Sequence, residues 1–567
     1  MTTPSPCAGG LAGTLLLPML AHKLLAATVV VPGASAWGRL FVDDFAAAAL
    51  LALAGLGLGP RGRMLVGVGV LAWLVLAQLS VQALGMPFLP TMLAGCDAAM
   101  QDSLWPYATF GNALRVATLV AAMLAGRAMD DRLRLRPRWL VCGAVVAVGV
   151  QWAGQPPAHP CHRNPLLAFV RQLVPRSAVA MPVVRDGVRL QAMAPVAPTG
   201  LARGRSVVLV VLESARQGLV EPAEDEAPAM PFLRELAAGG LHCPTAYAVY
   251  PESIEGQVPI LCALPPRVDA APADYVVAAS EALPHRLRPY GYRSGLFHAG
   301  RFAFLGMQEV LAPMGFDVLA DAAAIRGVEE SSFGIDEAAT VDALVHWVAQ
   351  QPRDQAVLAC WLPIAGHHPY ASPPGGPFPA TSPYDCWRNA QHHADQALRR
   401  LWLALCTLRP PEQWLLCVVG DHGQAFGEHA GNFGHSFELY EENLRVPLVF
   451  VAPGSSLAGT RHEAPCSHLD VVPTLLDLLG LPSERSLLRT SADAVHAFTD
   501  WGELLVMRRE GRWKLVHEVA TGRDRLFDLA NDPLERVDLA PGAGERCAAL
   551  RAGALAFLVG CGARVRH

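Results

Sequence analysis

Charge is scarce in this sequence: 17% of its 567 residues are Asp, Glu, Lys or Arg, and the formal net charge is -5. So thin a balance gives no polyelectrolyte field, and no basic patch interleaved with aromatics is present, which excludes the usual nucleic-acid footprint. The 13 cysteines contain no Cys-x-x-Cys pair and are too dilute for a small disulfide scaffold, leaving scattered thiols or a few bridges with the pairing open. A basic stretch ahead of the first apolar run is also missing, so that run is expected to be a retained helix and not a signal peptide.

What is abundant is apolar surface. Hydrophobic residues make up 52% of the chain, and most of the excess lies before Gly154. Five apolar stretches, roughly 11–32, 44–60, 63–85, 109–127 and 138–154, each approach the length that crosses a bilayer as a helix. His22 and Lys23 in the first and Arg115 in the fourth are costly there unless they face other helices. Arg61 and Arg63 lie between the second and third stretches, and Arg127, Arg132, Arg134, Arg136 and Arg138 between the fourth and fifth. Basic loops stay cytoplasmic, so the N-terminus is expected inside and everything after Gly154 outside. The expected location is the inner or plasma membrane, multi-pass, with an extracytoplasmic or periplasmic catalytic domain. The ten cysteines from Cys161 onward would then meet a compartment that permits disulfides.

The length itself argues for at least two folding units. The expected division is a transmembrane domain of about five helices over 1–154, a linker and juxtamembrane segment over 155–204, a catalytic domain over 205–545 and a tail over 546–567. In the soluble half, Ser206–Leu212 is a continuous aliphatic run of the kind buried on both faces of a parallel sheet, and Trp414–Val419 and Val446–Val451 read the same way. Helical patterns lie between them, at Ala338–Val348 and Asn389–Leu408, which argues for a doubly wound α/β domain. Ligands of such sheets sit at the carboxyl ends of the strands. The first run ends in Glu213-Ser214 and the second in Gly420-Asp421-His422-Gly423, so three metal-ligating side chains fall on one edge. Together they are a ligand set for Zn2+ or Mn2+, with Mg2+ or Ca2+ less fitting.

Gly420 to His429, followed by His435 and Leu439 to Leu448, resembles the long motif of the sulfatase domain family of the alkaline phosphatase superfamily. The segment Val208 to Arg216 is similar to the opening strand of its membrane-bound members, the lipoteichoic acid synthase-like and phosphoethanolamine transferase enzymes. Ser467 to Gly480 resembles the next sulfatase segment, and Trp513 to Glu535 the C-terminal antiparallel hairpin, at about 500–540. The resemblance implies a metal-dependent enzyme whose nucleophile lies in Tyr250-Pro251-Glu252-Ser253, with Ser253 at the place of the family's threonine. It implies Glu213, Ser253, Asp421 and His422 as ligands of one divalent ion, with a second ion allowed for. It implies substrate contacts from His298, His367, His368 and His435, and from Arg301 in place of a family arginine whose turn here holds Met307. Nothing between Pro244 and Arg267 has the Cys/Ser-x-Pro-x-Arg pattern that is oxidised to formylglycine.

The function so implied is transfer of a phospholipid-derived head group, phosphoethanolamine or phosphoglycerol, to an envelope lipid or glycan acceptor through a serine-linked intermediate. The expected partners are a membrane lipid donor and that acceptor, with no nucleic acid, and the chain is expected to be a monomer in the membrane. One alternative is a hydrolase of sulfuric or phosphoric esters. Another is a catalytically silent envelope scaffold, which the intact Glu213, Ser253, Asp421 and His422 argue against and the two acidic residues that flank Ser253, Glu252 and Glu255, keep open.

Overall fold

A computed structural model describes residues 11–31, 40–84, 86–88, 108–133, 141–142, 160–172, 197–222, 227–483, 485–489 and 493–562. The chain divides into two compact units, one built mainly from residues before 177 and the other from most of the remainder.

In the first unit, helices α1 (Ala12–Ala26), α2 (Val42–Ala54), α3 (Pro60–Leu84), α4 (Phe110–Leu133) and α5 (Pro165–Gln172) are present. Helices α1 and α4 meet backbone to backbone, because a Cβ on Gly126 would stand 2.0 Å from the Gly13 carbonyl oxygen. Close approach through small residues is how apolar helices pair without a bulky interface. Asp130 of α4 accepts from Gly13 N at 2.6 Å and Thr14 N at 2.8 Å, capping the otherwise unsatisfied start of α1. The polar residues inside the first apolar stretch also find partners. His22 Nδ1 is 2.9 Å from Gln78 Oε1, and Lys23 Nζ is 3.2 Å from both Asp43 and Asp44.

Among the described residues, α3, with 25 residues and a mean hydropathy of 2.2 over its most apolar 18-residue stretch, is the one helix long and apolar enough to cross a membrane. Helix α1 is apolar but has 15 residues, and α2 has 13, about 20 Å of rise against the ~30 Å of a hydrocarbon core. The stretch 138–154 lies outside the described residues except for 141–142, as does most of the expected linker.

The second unit is organised by a sheet with eight strands among the described residues: β1 (Ser206–Leu212), β2 (Leu241–His242), β3 (Arg293–His298), β4 (Val318–Ala320), β5 (Val357–Leu362), β6 (Trp414–Gly420), β7 (Leu448–Val451) and β8 (Thr460–Arg461), in the order β8-β2-β7-β6-β1-β5-β3-β4. Helices α6 (Ser253–Cys262), α7 (Glu337–Ala349), α8 (Pro383–Leu408) and α9 (Val471–Leu478) cover it. Alternation along β1 explains the two layers. Val207, Leu209 and Val211 pack in one core with Ile254 and Val258 of α6 and Leu475 of α9, whereas Val208, Val210 and Leu212 pack with Val341 of α7 and Leu398 of α8. Each such fully buried side chain stabilises the fold by about 1.5–3 kcal/mol.

One expectation is corrected here. The run 446–451 is not a single parallel strand: Arg445–Val446 belongs to a small separate sheet, and β7 pairs antiparallel with β6. The chain leaves β6 at the ligand edge and returns to the sheet from that same edge, so it must run back alongside β6. After α9, strands β9 (Ala494–Thr499), β10 (Leu505–Glu510), β11 (Trp513–Glu518) and β12 (Arg523–Asp528) form an antiparallel sheet in sequential order. Helix α10 (Gly544–Gly560) packs Leu550 against Leu515 and Leu526 of that sheet, so most of the stretch expected as a tail is helix.

Glu337, at the start of α7, is fully buried; one carboxylate oxygen accepts from Ile364 N at 2.8 Å and Ala365 N at 2.7 Å. Burial outweighs those two amide donors and pushes the carboxyl from its ordinary 4.5 up to about 8. A folded-state value above the unfolded one means the folded chain holds a proton that the unfolded chain releases. Stability should therefore fall as pH rises from about 4.5 through about 8. Glu337→Gln keeps the acceptor and removes the proton, so its Tm should decline less over pH 5–8, by the equivalent of a few kcal/mol at the upper end, on the order of 1.4 kcal/mol per pKa unit. Parallel Tm–pH curves for the two proteins would refute this.

Candidate active site

Parallel pairing of β1 with β6 sets Leu212 opposite Gly420, and the residues that follow each strand meet at the carboxyl edge of the sheet. Asp421 N donates to Leu212 O at 3.0 Å, which ties the two strand ends together. Ser214 takes a left-handed φ of 55°, turning the chain so that its own N–H donates to Asp421 Oδ1 at 2.9 Å and its hydroxyl to Glu213 Oε1 at 2.7 Å. His422 N donates to the same Asp421 oxygen at 2.6 Å. One carboxylate atom each from Glu213 and Asp421 and a ring nitrogen of His422 lie within 4.8 Å of one another, all buried.

Ser253 is the first residue of α6. The capping role belongs to its neighbour: Glu252 accepts from Ile254 N at 2.9 Å and Glu255 N at 3.0 Å. Relieved of that role, the Ser253 hydroxyl sits 2.9 Å from Glu213 Oε2 and 3.0 Å from His422 Nε2. Four of the expected site residues are thus brought into one cluster.

The imidazoles share a pattern. His298 Nδ1 is 3.1 Å from Leu362 O, His367 Nδ1 is 2.7 Å from His368 O, and His422 Nδ1 is 2.8 Å from Gly423 O. A carbonyl only accepts, so each Nδ1 carries the hydrogen, and Nε2 presents a lone pair where the ring is neutral. His435 Nδ1 is 3.1 Å from Gln424 Oε1, Gln424 donates its amide to Tyr370 at 2.8 Å, and the His435 ring stacks on His422 at 3.9 Å. Burial lowers the pKa of His298 and His422 and takes that of His435 well below the ordinary value, which keeps these rings neutral. His367 is close enough for its charge to act on Glu213, His422 and His435. Arg301, by contrast, pairs with Glu329, and the His368 ring lies edge-on to Tyr370.

Burial pushes the Glu213 carboxyl up, yet His422, His367 and the Ser214 and Ser253 hydroxyls bring it below its ordinary value. Asp421 is driven well above its own by burial and by Glu213 beside it. Among the described residues the only ion pairs of either carboxylate run to His422, at 3.7 Å and 3.5 Å. Two buried carboxylates, an imidazole lone pair and a hydroxyl therefore converge with no resident full-time cation, which is the donor set a divalent ion fits. His422 held by a carbonyl at its other nitrogen is the usual support of a metal-ligating histidine. Burial also lifts Glu252 to about 7 and Glu255 well above the ordinary value, so these flanks weigh on Ser253 less than two full negative charges would.

Some supports escaped sequence reasoning. Gln391 donates to Glu213 O at 2.9 Å from α8, and no spacing in the chain announces it. Gly423 donates its N–H to Asn443 O at 2.8 Å, and a Cβ there would stand 2.1 Å from Glu442 O. Gly423→Ala should displace the backbone beside His422 and lower divalent-ion affinity at least about 10-fold; titration calorimetry that finds unchanged affinity would contradict this.

A mixed sheet with helices on both faces is also the fold of solved proteins of the alkaline phosphatase superfamily. A crystal structure of a member from Vibrio parahaemolyticus aligns over 68% of this chain and 94% of its own, with a TM-score of 0.53 at 18% identity. Residues 205–481 match the Sulfatase family model. Choline-sulfatase of Rhizobium meliloti is 33% identical over 26% of this chain and 31% of its own length. Lipoteichoic acid synthase 1 of Bacillus subtilis is 21% identical over 57% of this chain and 54% of its own. The chain thus spans about a third of the first relative and about half of the second.

Proposed function

We propose that this chain is a metal-dependent sulfatase-family enzyme that transfers a phospholipid-derived head group, phosphoethanolamine or phosphoglycerol, to an envelope acceptor through Ser253. The observation that carries the reading is the Ser253 hydroxyl, within 3.0 Å of both Glu213 and His422 and absent from any formylglycine pattern. Glu213, Asp421, His422 and Ser253 would hold one Zn2+ or Mn2+ ion, which when bound supplies Lewis-acid activation of the serine hydroxyl and offsets the charge of the reacting group. Ser253 Oγ forms a bond to phosphorus as the diacylglycerol oxygen leaves. An acceptor hydroxyl then attacks the phosphoserine and frees the enzyme. The neutral Nε2 lone pair of His298 suits the removal of the acceptor's proton. Arg301 and His368 are assigned to the head group, and His367 with His435 to a second ion if one is bound.

A membrane location, with α3 as one span of a multi-pass anchor and the catalytic unit outside the cytoplasm, suits a lipid donor. The second reading, a sulfuric or phosphoric ester hydrolase, draws on the match to choline-sulfatase. The deciding experiment is mass spectrometry of the peptide bearing Ser253 after incubation with labelled phosphatidylethanolamine or phosphatidylglycerol, beside release of sulfate or phosphate from simple esters. A head-group adduct on Ser253 establishes the transferase. No adduct together with ester turnover establishes the hydrolase, and neither outcome leaves the silent scaffold.

A further inference from the structure

The sequence contains 45 basic residues of the lysine and arginine type, and lysine stands at two positions only, Lys23 and Lys514. Both are fully buried. Lys514, on β11, places Nζ 2.9 Å from Glu441 Oε1 and 2.9 Å from Glu535 Oε1. A compact ammonium with three donors fits between two carboxylates where the planar arginine fork would not. Glu535 returns the contact by accepting from Glu441 N at 2.7 Å, and Tyr247 donates to Glu441 Oε2 at 2.8 Å. On β12, Arg525 donates to Tyr440 Oη at 2.6 Å and to Glu438 Oε2 at 2.7 Å. All of these contacts but the Lys514–Glu535 pair grip residues 438–441.

That gripped segment runs directly into Asn443, which is fully buried. Asn443 O accepts from Gly423 N at 2.8 Å, and its side-chain amide donates to His435 O at 3.2 Å. Gly423 is the residue after His422, and the His435 ring is stacked on that of His422. The main chain of Glu442 lies close behind Gly423, where a Cβ would stand 2.1 Å from the Glu442 carbonyl oxygen.

We propose that the C-terminal sheet is a positioning clasp for the ligand loop: Lys514, Arg525 and Glu535 fix residues 438–443, and these hold Gly423 and His435 so that His422 Nε2 faces Glu213 and Ser253. None of the three touches the reacting atoms; they are positioning residues acting through Asn443. The inference rests on the reading of Glu213, Asp421 and His422 as a metal site.

The test uses the full-length chain and reads divalent-ion affinity by competition with a chromophoric chelator, for Mn2+ and Zn2+ in turn, at a temperature where each protein is fully folded. Lys514→Met/Glu441→Gln/Glu535→Gln removes all three charges of the buried cluster so that none is stranded. Arg525→Lys keeps the charge but loses the fork that reaches Glu438 and Tyr440, and carries the comparison alone if the triple variant does not fold. Leu550→Ala, a core substitution on α10 that loosens packing against Leu515 and Leu526, on the face of the sheet opposite Lys514 and Arg525, controls for lost stability of the sheet. The clasp variants are expected to bind the ion about 10- to 100-fold more weakly, as loss of an outer support does, while Leu550→Ala binds like wild type. Unchanged affinity in the clasp variants, or an equal loss in Leu550→Ala, overturns the clasp. A wild-type chain that binds neither ion defeats the metal reading itself, and the clasp with it.

Discussion

Ser253→Ala is expected to abolish turnover, lowering kcat on the order of 10^4-fold or more, as removal of a nucleophile does in enzymes that proceed through a covalent intermediate. The substitution isolates chemistry from folding to an unusual degree, because the helix cap next to it is Glu252 and remains in place. Ser253 is partly exposed and makes its side-chain contacts to Glu213 and His422. The variant should therefore unfold at a temperature close to that of wild type and still hold a divalent ion through its three remaining ligands. Steady-state rates on the donor identified by the adduct experiment, with thermal unfolding alongside, decide the matter. Activity within 10-fold of wild type would remove Ser253 from the reaction.

Asp421→Asn should empty the site of metal while making the ion-free protein more stable. The asparagine Oδ1 can still accept from Ser214 N and His422 N, so the local turn survives. What disappears is one of two buried carboxylates that face each other and the pull it exerts on a cation. Elemental analysis after purification should find the ion at well under a tenth of wild-type occupancy, the equivalent of at least about 100-fold in affinity. In a chelator the order reverses: the asparagine variant should melt higher than wild type at pH 8, because the raised folded-state value of Asp421 costs stability as pH climbs through it. Wild-type metal content in the variant would show that Asp421 is no ligand.

Much of the catalytic unit could be read from the chain because its evidence is local. The seven residues of β1 are all aliphatic but for Ser206, and the strand lies where the sequence places it. Glu213 and Asp421-His422 immediately follow β1 and β6, so strand ends alone brought them to one edge. The antiparallel turn of β7 was not legible, since an aliphatic run looks alike in either direction. Arg301 carries no local sign of its engagement by Glu329. Gln391 and Lys514 act through contacts across 50 residues or more and Asn443 through main-chain contacts within its own loop, and nothing in spacing or composition marks a residue whose importance lies in what it holds.

The two lysines carry one more consequence. A protease that cuts only after lysine finds, among the described residues, no substrate on the folded surface, because Lys23 and Lys514 are both enclosed. One lies in each compact unit, so the two cleavage rates would be independent clocks of local opening, the first timing the release of Lys23 from Asp43 and Asp44 and the second the release of Lys514 from Glu441 and Glu535. Without any label introduced, the chain already reports which of its two halves comes apart first.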